Sequence, residues 1–292
     1  MSSTARARRI PVAALFMGML SGALWPTPAL TQNVGDVHVT PDVVYGHKDG
    51  MALTFDVFRP SSANGAAILY MVSGGWVSRW SPPESAMRRF DGLLERGFTV
   101  LAVRHGSSPR YKVPEAEADV RLALRYVRLH ADELGIDADR LGVHGGSAGG
   151  HLSLMLGLVS DEGLTEEDAV LRTPSRVAAV VAYYPPVDLR RLVGPSERFP
   201  ALDFDAELAD GISPLLYATL DDPPTLLIHG DADRLVNVSH SERMYAALQA
   251  AGVESEFVVI PGGDHGFTRE EDRAHADELM VAWFDRLLGT PH

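Results

Sequence analysis

From about residue 37 onward, short apolar runs alternate with stretches in which apolar positions recur every three or four residues, and Gly, Pro, Asp and Ser punctuate the changes. Residues 37–45 and 52–58 predict an opening pair of strands, with His47, Lys48, Asp49 and Gly50 as the turn between them. The runs 66–72, 98–103, 141–143, 177–183, 225–228 and 256–260 are short and apolar, the pattern of strands covered on both faces. Between several of them lie helical patterns. After Pro114, Val120, Ala123, Leu124, Val127, Ala131 and Leu134 recur at three and four residues, so one helix is expected to run to Leu134 and to stop at Gly135. Residues 147–159, 239–251 and 272–288 predict further helices. Strand, crossover helix and strand, repeated, give a mostly parallel eight-stranded sheet with helices on both faces. Residues 185–224 fit no such unit. Rich in Pro, Asp and Arg, they fall between two strands and are expected to be a small cap insertion over one end of the sheet; a poorly ordered surface loop is the plainer reading.

The first thirty residues have a different pattern. Arg6, Arg8 and Arg9 precede an apolar run from Ile10 to Trp25, followed by the small-residue stretch Pro26-Thr27-Pro28-Ala29. This predicts a cleaved signal peptide over 1–30 and a secreted or periplasmic protein whose catalytic domain spans 31–292. The run is broken by Pro11, Gly18 and Gly22 and is short for a membrane span of about 20 residues. The absence of cysteine fits an oxidising compartment and removes every thiol mechanism and every Cys-zinc site.

The 292 residues carry 26 Lys and Arg against 39 Asp and Glu, a formal net charge of −13. With no dense basic patch outside the leader, such a chain is repelled by phosphate backbones, so nucleic acid is excluded as a partner. No metal-binding or phosphate-binding pattern is present either, and no cofactor is implied.

Chemistry concentrates in Leu141-Gly142-Val143-His144-Gly145-Gly146-Ser147-Ala148-Gly149-Gly150-His151. It holds Gly145-x-Ser147-x-Gly149 between a short strand and a helix, the setting in which a tight turn lifts one serine above a sheet. Side chains two residues either side of that serine would strike the neighbouring strand and helix, so glycine is required there. A serine hydroxyl needs a base to take its proton. Of eleven histidines, His265 is placed for it, in the turn 261–267 after the last strand; His105, His144, His151 and His229 are assigned structural or supporting duty. The base needs an acid to fix its tautomer. Asp233 is preferred over Asp231, whose position directly after the strand suits it to the turn itself. Asp264 would need a local fold-back. For the oxyanion, Ser73-Gly74-Gly75-Trp76 follows a strand and offers backbone amides at Gly74 and Gly75, to act with the amide of Ala148 at the helix start.

These segments, together with residues 114–128, His229-Gly230-x-x-Asp233 and Asp264-His265-Gly266, resemble the α/β-hydrolase superfamily, from about residue 43 to the C-terminus. Within it the chain is similar to the secreted esterases near the hormone-sensitive-lipase-like, feruloyl-esterase-like and prolyl-oligopeptidase-like groups. The family's oxyanion loop usually reads His-Gly-Gly-Gly, often followed by Trp; here Val72-Ser73-Gly74-Gly75-Trp76 stands in its place, so the histidine and first glycine are missing.

The expected activity is hydrolysis of carboxylic esters, small or polymer-linked, through an acyl-enzyme on Ser147. Pocket walls are expected from residues 76–83, 185–224 and 267, with Trp76 and Phe267 as substrate contacts. A peptidase or amidase using the same three residues is the first alternative, although the chain is too short for the propeller of prolyl oligopeptidases. A non-catalytic binding domain on the same fold is the second.

Overall fold

The computed structural model describes residues 32–34 and 36–290, so the expected signal peptide at 1–30 lies outside the described residues. Nine strands form one sheet: β1 Gln32–Val34, β2 Val37–Lys48, β3 Met51–Pro60, β4 Ala67–Met71, β5 Thr99–Val103, β6 Leu141–Gly146, β7 Ala179–Tyr183, β8 Thr225–Gly230 and β9 Ser255–Ile260. Their spatial order is β1-β2-β3-β5-β4-β6-β7-β8-β9. The first three join antiparallel, and every pair from β5 onward is parallel. All eight expected runs are strands, and β1 is an addition at the edge. β2 and β3 meet at a two-residue turn, Asp49-Gly50, with φ of 48° and 80°, the left-handed pair that matches the twist of a tight hairpin.

Helices α1 Pro83–Met87, α2 Asp91–Glu95, α3 Val113–Leu129, α4 Ala131–Leu134, α5 Ala148–Leu158, α6 Ala169–Arg172, α7 Ser239–Ala251 and α8 Glu270–Leu288 complete the fold. Strand alternation divides the core in two. Ala67, Leu69 and Met71 pack with α3, α5 and α7 on one face. Ile68 packs with α2 and α8 on the other, against Leu93, Met280 and Phe284.

Two expectations need correction. The single helix from Pro114 to Leu134 divides at His130, where φ −102° and ψ 22° leave the helical region, and it resumes as one turn before Gly135. β9 is not covered on both faces. It is the last strand in the order, and Val259 is 40% exposed. The segment 185–224 is not a poorly ordered loop: it forms four single 3₁₀ turns, at Pro200–Leu202, Ala206–Leu208, Asp210–Ile212 and Pro214–Leu216, and buries Val187, Leu189, Ala201, Leu202 and Ile212 in the α3–α5–α7 core. Among the described residues no helix is long and apolar enough to cross a membrane, and no cluster of three His, Asp or Glu could hold a metal.

Candidate active site

Ser147 sits between β6 and α5 with φ 55° and ψ −119°, a conformation L-residues avoid unless the surroundings hold them in it. The surroundings do so without room to spare. A Cβ on Gly145 would lie 2.5 Å from the carbonyl carbon of Gly149, and one on Gly149 would lie 2.8 Å from the carbonyl oxygen of Met71. The Ser147 amide donates to Tyr183 O on β7 at 2.9 Å, and Ser147 O accepts the first α5 bond from His151 N at 2.9 Å. The helix therefore begins at the serine, which leaves the Ala148 amide, in the first turn, without an intrahelical acceptor.

His265 follows β9, and its Nε2 lies 3.0 Å from Ser147 Oγ. On the other side of the ring, Nδ1 lies 2.7 Å from Asp233 Oδ2. Because a carboxylate only accepts, Nδ1 carries the proton and Nε2 presents its lone pair to the hydroxyl. Asp233 has no exposed side-chain surface. Burial pushes its carboxyl up, but hydrogen bonds from His229 and His265 and from the amides of Val236 and Leu235 together outweigh burial and hold it well below the usual carboxylate range. Its Oδ1 accepts from Leu235 N at 2.8 Å and Val236 N at 2.9 Å, so the carboxylate plane is fixed independently of His265. Asp231 instead accepts from Gly262 N at 2.6 Å, and Asp264 caps its own turn through Thr268 N at 2.8 Å. Three groups from the ends of β6, β8 and β9 thus form one hydrogen-bonded line, an arrangement able to activate a serine oxygen.

The oxyanion segment differs from expectation. Gly74 N donates to Val77 O and Val77 N to Gly74 O, both at 3.0 Å, closing a two-residue hairpin in which Gly75 and Trp76 both have φ 57°. The Gly74 amide is therefore engaged, and the expected donors narrow to Gly75 and Ala148. Where the family motif has a histidine and glycine, Ser73 Oγ donates to His105 Nε2 at 2.8 Å while His105 Nδ1 donates to Gly106 O at 2.8 Å. The loop is held from the end of β5 instead.

Neither expected substrate-contacting aromatic faces open space. Trp76 is 4% exposed and Phe267 1%. Trp76 Nε1 donates to His151 Nδ1 at 3.3 Å, and His151 Nε2 donates to Ile212 O at 2.8 Å, so one neutral imidazole ties the oxyanion loop, α5 and the 185–224 segment together. Burial drives the His151 pKa down to about 4, which keeps it neutral and able to accept from the indole. Phe267, at φ 49°, packs edge-on against Tyr183 and Tyr184. Tyr184 is the aromatic the sequence did not single out: its ring centroid lies 4.6 Å from that of His265, and its hydroxyl limits the space beside Gly146. The apolar run that predicted β7 ends at Tyr183, and nothing in its pattern marked the next residue.

A serine on a strand-to-helix turn, a histidine and a buried aspartate from later strand ends, and a parallel sheet clad on both sides define the class: an α/β-hydrolase-fold serine hydrolase of carboxylic esters. Residues 55–248 match the BD-FAE family, and the chain belongs to it. It is similar to Esterase LipC of Mycobacterium tuberculosis, 29% identical over 287 residues that cover 88% of this chain and 70% of that protein. It is 28% identical to Esterase LipQ of the same organism over 243 residues, covering 78% of this chain and 57% of LipQ. Among solved structures, esterase Est2 of Thermogutta terrifontis superposes with a TM-score of 0.71 at 27% identity, covering 86% of this chain and 93% of that one. Est2 has also been solved with butyrate and with propionate bound.

Proposed function

We propose that the chain hydrolyses carboxylic esters by covalent catalysis on Ser147, and that it does so as an exported enzyme. His265 Nε2 removes the hydroxyl proton as Oγ bonds to the acyl carbon; the carbonyl π electrons move to oxygen, where the amides of Gly75 and Ala148 receive the negative charge. His265, now positive and held by Asp233, gives its proton to the departing alkoxide as the C–O bond breaks. Water then repeats the sequence: His265 takes its proton, hydroxide adds to the acyl carbon, and collapse returns Ser147 and the free acid. Every proton removed is returned, so no cofactor enters the cycle. The observation that carries this reading is the line from Ser147 Oγ to His265 Nε2 at 3.0 Å and from His265 Nδ1 to Asp233 Oδ2 at 2.7 Å.

The segment 185–224 acts as a cap in this proposal, since Phe199 comes within 3.1 Å of the space beside Gly75 and Lys112 Nζ donates to Pro200 O at 2.8 Å. The small acids bound by Est2 support short acyl chains as a starting point. Export rests on the basic-then-apolar leader over 1–30. Initial rates on 4-nitrophenyl acetate and butyrate against aminoacyl 4-nitroanilides test the activity: ester turnover with little anilide turnover is expected, and turnover of anilides alone would replace the esterase reading by an amidase.

A further inference from the structure

Beside the oxyanion loop lies a cleft of about 670 Å³ whose charge is opposite to that of the chain. Arg79, Arg89, Arg104 and Arg198 line it, with Asp56 as its only lining carboxylate among the described residues, in a protein of net charge −13. Arg104 is already neutralised. Its guanidinium pairs with Asp56 at 2.6 Å and with Asp42 at 2.7 Å, and it also donates to Thr54 Oγ1 at 2.8 Å. The other three are different: among the described residues none has a carboxylate at ion-pair distance. Arg89 donates to the phenol oxygen of Tyr70, Arg198 lies over the ring of Phe199 at 5.2 Å, and Arg79 is exposed.

The cleft borders the oxyanion loop. Ser73, Gly74 and Gly75 form one of its walls, and Phe199, which carries Arg198 beside it, lies against Gly75. Tyr184 packs on His265. Burial is the main cause that raises the Tyr184 hydroxyl, and the Arg89 charge acts against it, so Arg89 is within electrostatic reach of the ring that supports the base. Guanidinium groups are held without partners at a cost in self-repulsion, and an anion that enters such a cleft gains charge-assisted hydrogen bonds from planar donors. The repulsion that an acidic chain exerts on an anion is screened beyond roughly 8 Å at physiological salt, whereas contacts inside the cleft are screened far less. Local sign therefore decides.

We propose that this cleft receives a carboxylate carried by the substrate, so that the preferred esters bear a negative charge close to the scissile carbonyl, on either the acyl or the alcohol portion. The inference rests on the esterase reading above and adds the substrate class to it.

The test uses the full chain and two matched pairs. Mono-4-nitrophenyl glutarate against 4-nitrophenyl valerate places the charge on the acyl side, and 4-acetoxybenzoate against 4-acetoxybenzamide places it on the alcohol side. In at least one pair kcat/KM is expected to favour the anionic ester by about tenfold at low salt, and this ratio should fall toward one in 0.5 M NaCl and in an Arg79→Ala/Arg198→Ala double variant. A ratio of one or below in both pairs, with the neutral esters hydrolysed, overturns the proposal and leaves the esterase reading standing. Should none of the four esters be hydrolysed, the esterase reading fails by itself, and calorimetric titration with glutarate then judges the cleft. Saturable binding weakened at least tenfold in the double variant supports it, and no binding to the unaltered chain overturns it.

Discussion

Replacing Asp233 by Asn separates orientation of the base from mere packing, because the site dictates which way the new amide must turn. Oδ1 accepts two backbone amides, from Leu235 and Val236, at 2.8 and 2.9 Å, so the amide oxygen must stay there. The NH₂ group then takes the place of Oδ2, 2.7 Å from His265 Nδ1. A donor at that point forces Nδ1 to accept, which moves the ring proton to Nε2 and directs N–H at the Ser147 hydroxyl, 3.0 Å away. The base is then in the wrong tautomer. In serine hydrolases with this arrangement the corresponding change costs about 10⁴ in kcat, roughly 5 kcal/mol of barrier. The His229 N–H, 3.3 Å from the same Oδ2, would meet the amide hydrogens as well, so a modest loss of stability is also expected. Single-turnover release of 4-nitrophenol from 4-nitrophenyl acetate measures acylation directly. Asp231→Asn is the internal control: Asp231 is exposed and serves Gly262 N, so its rate should change by no more than a few fold. An Asp233→Asn rate within tenfold of the original, or an Asp231→Asn loss as large as that of Asp233→Asn, would rule out Asp233 as the group that sets the His265 tautomer.

Two further expectations follow from buried histidines. Trp76→Phe keeps an aromatic side chain but removes the indole N–H that donates to His151 Nδ1, leaving a fully buried acceptor unpaired; urea unfolding should show a loss of about 1–3 kcal/mol. The rate should also fall, by less than the ~10²–10³ that removal of one oxyanion donor costs, and no change in either quantity would contradict the role given to that contact. Burial holds His144 and His151 near a pKa of about 4, below the ordinary 6.5. Between those values the unfolded chain binds more protons than the folded one, so the contribution is complete above about 6.5 and is lost as pH falls through about 4. At pH 5 each should have cost roughly 2 kcal/mol of stability relative to pH 7. Urea midpoints measured at pH 7, 6 and 5 check this, and a midpoint independent of pH would be incompatible with neutral buried rings.

The parts of the fold legible in the sequence are those that a single residue type decides. β4 to β8 are largely buried on both faces and therefore mostly apolar, with Thr99, His144, Thr225 and His229 as the exceptions, and the glycines around Ser147 are required because backbone occupies the space a Cβ would take. The positions of Asp233 and His265 followed from chain order, since each lies just beyond a strand end at the same rim of the sheet. What was not legible depends on partners distant in sequence. Whether the Gly74 amide is free is decided by Val77 closing a hairpin, and Trp at a left-handed position gives no warning of it. Trp76 and Phe267 look like contact residues by type but are buried by His151, Tyr183 and Tyr184. β9 reads like its neighbours because edge position is a property of the whole sheet. The arginines of the cleft are scattered over positions 79 to 198, and only the fold collects them.

Ser147 alone forms the covalent bond in the proposed reaction, and mass spectrometry after reaction with a fluorophosphonate reads that bond. One adduct per chain is expected, located on the peptide containing Ser147, with loss of ester hydrolysis in proportion to labelling and no adduct in Ser147→Ala. Continued ester turnover by a chain fully labelled at Ser147, or by Ser147→Ala at an undiminished rate, would contradict it.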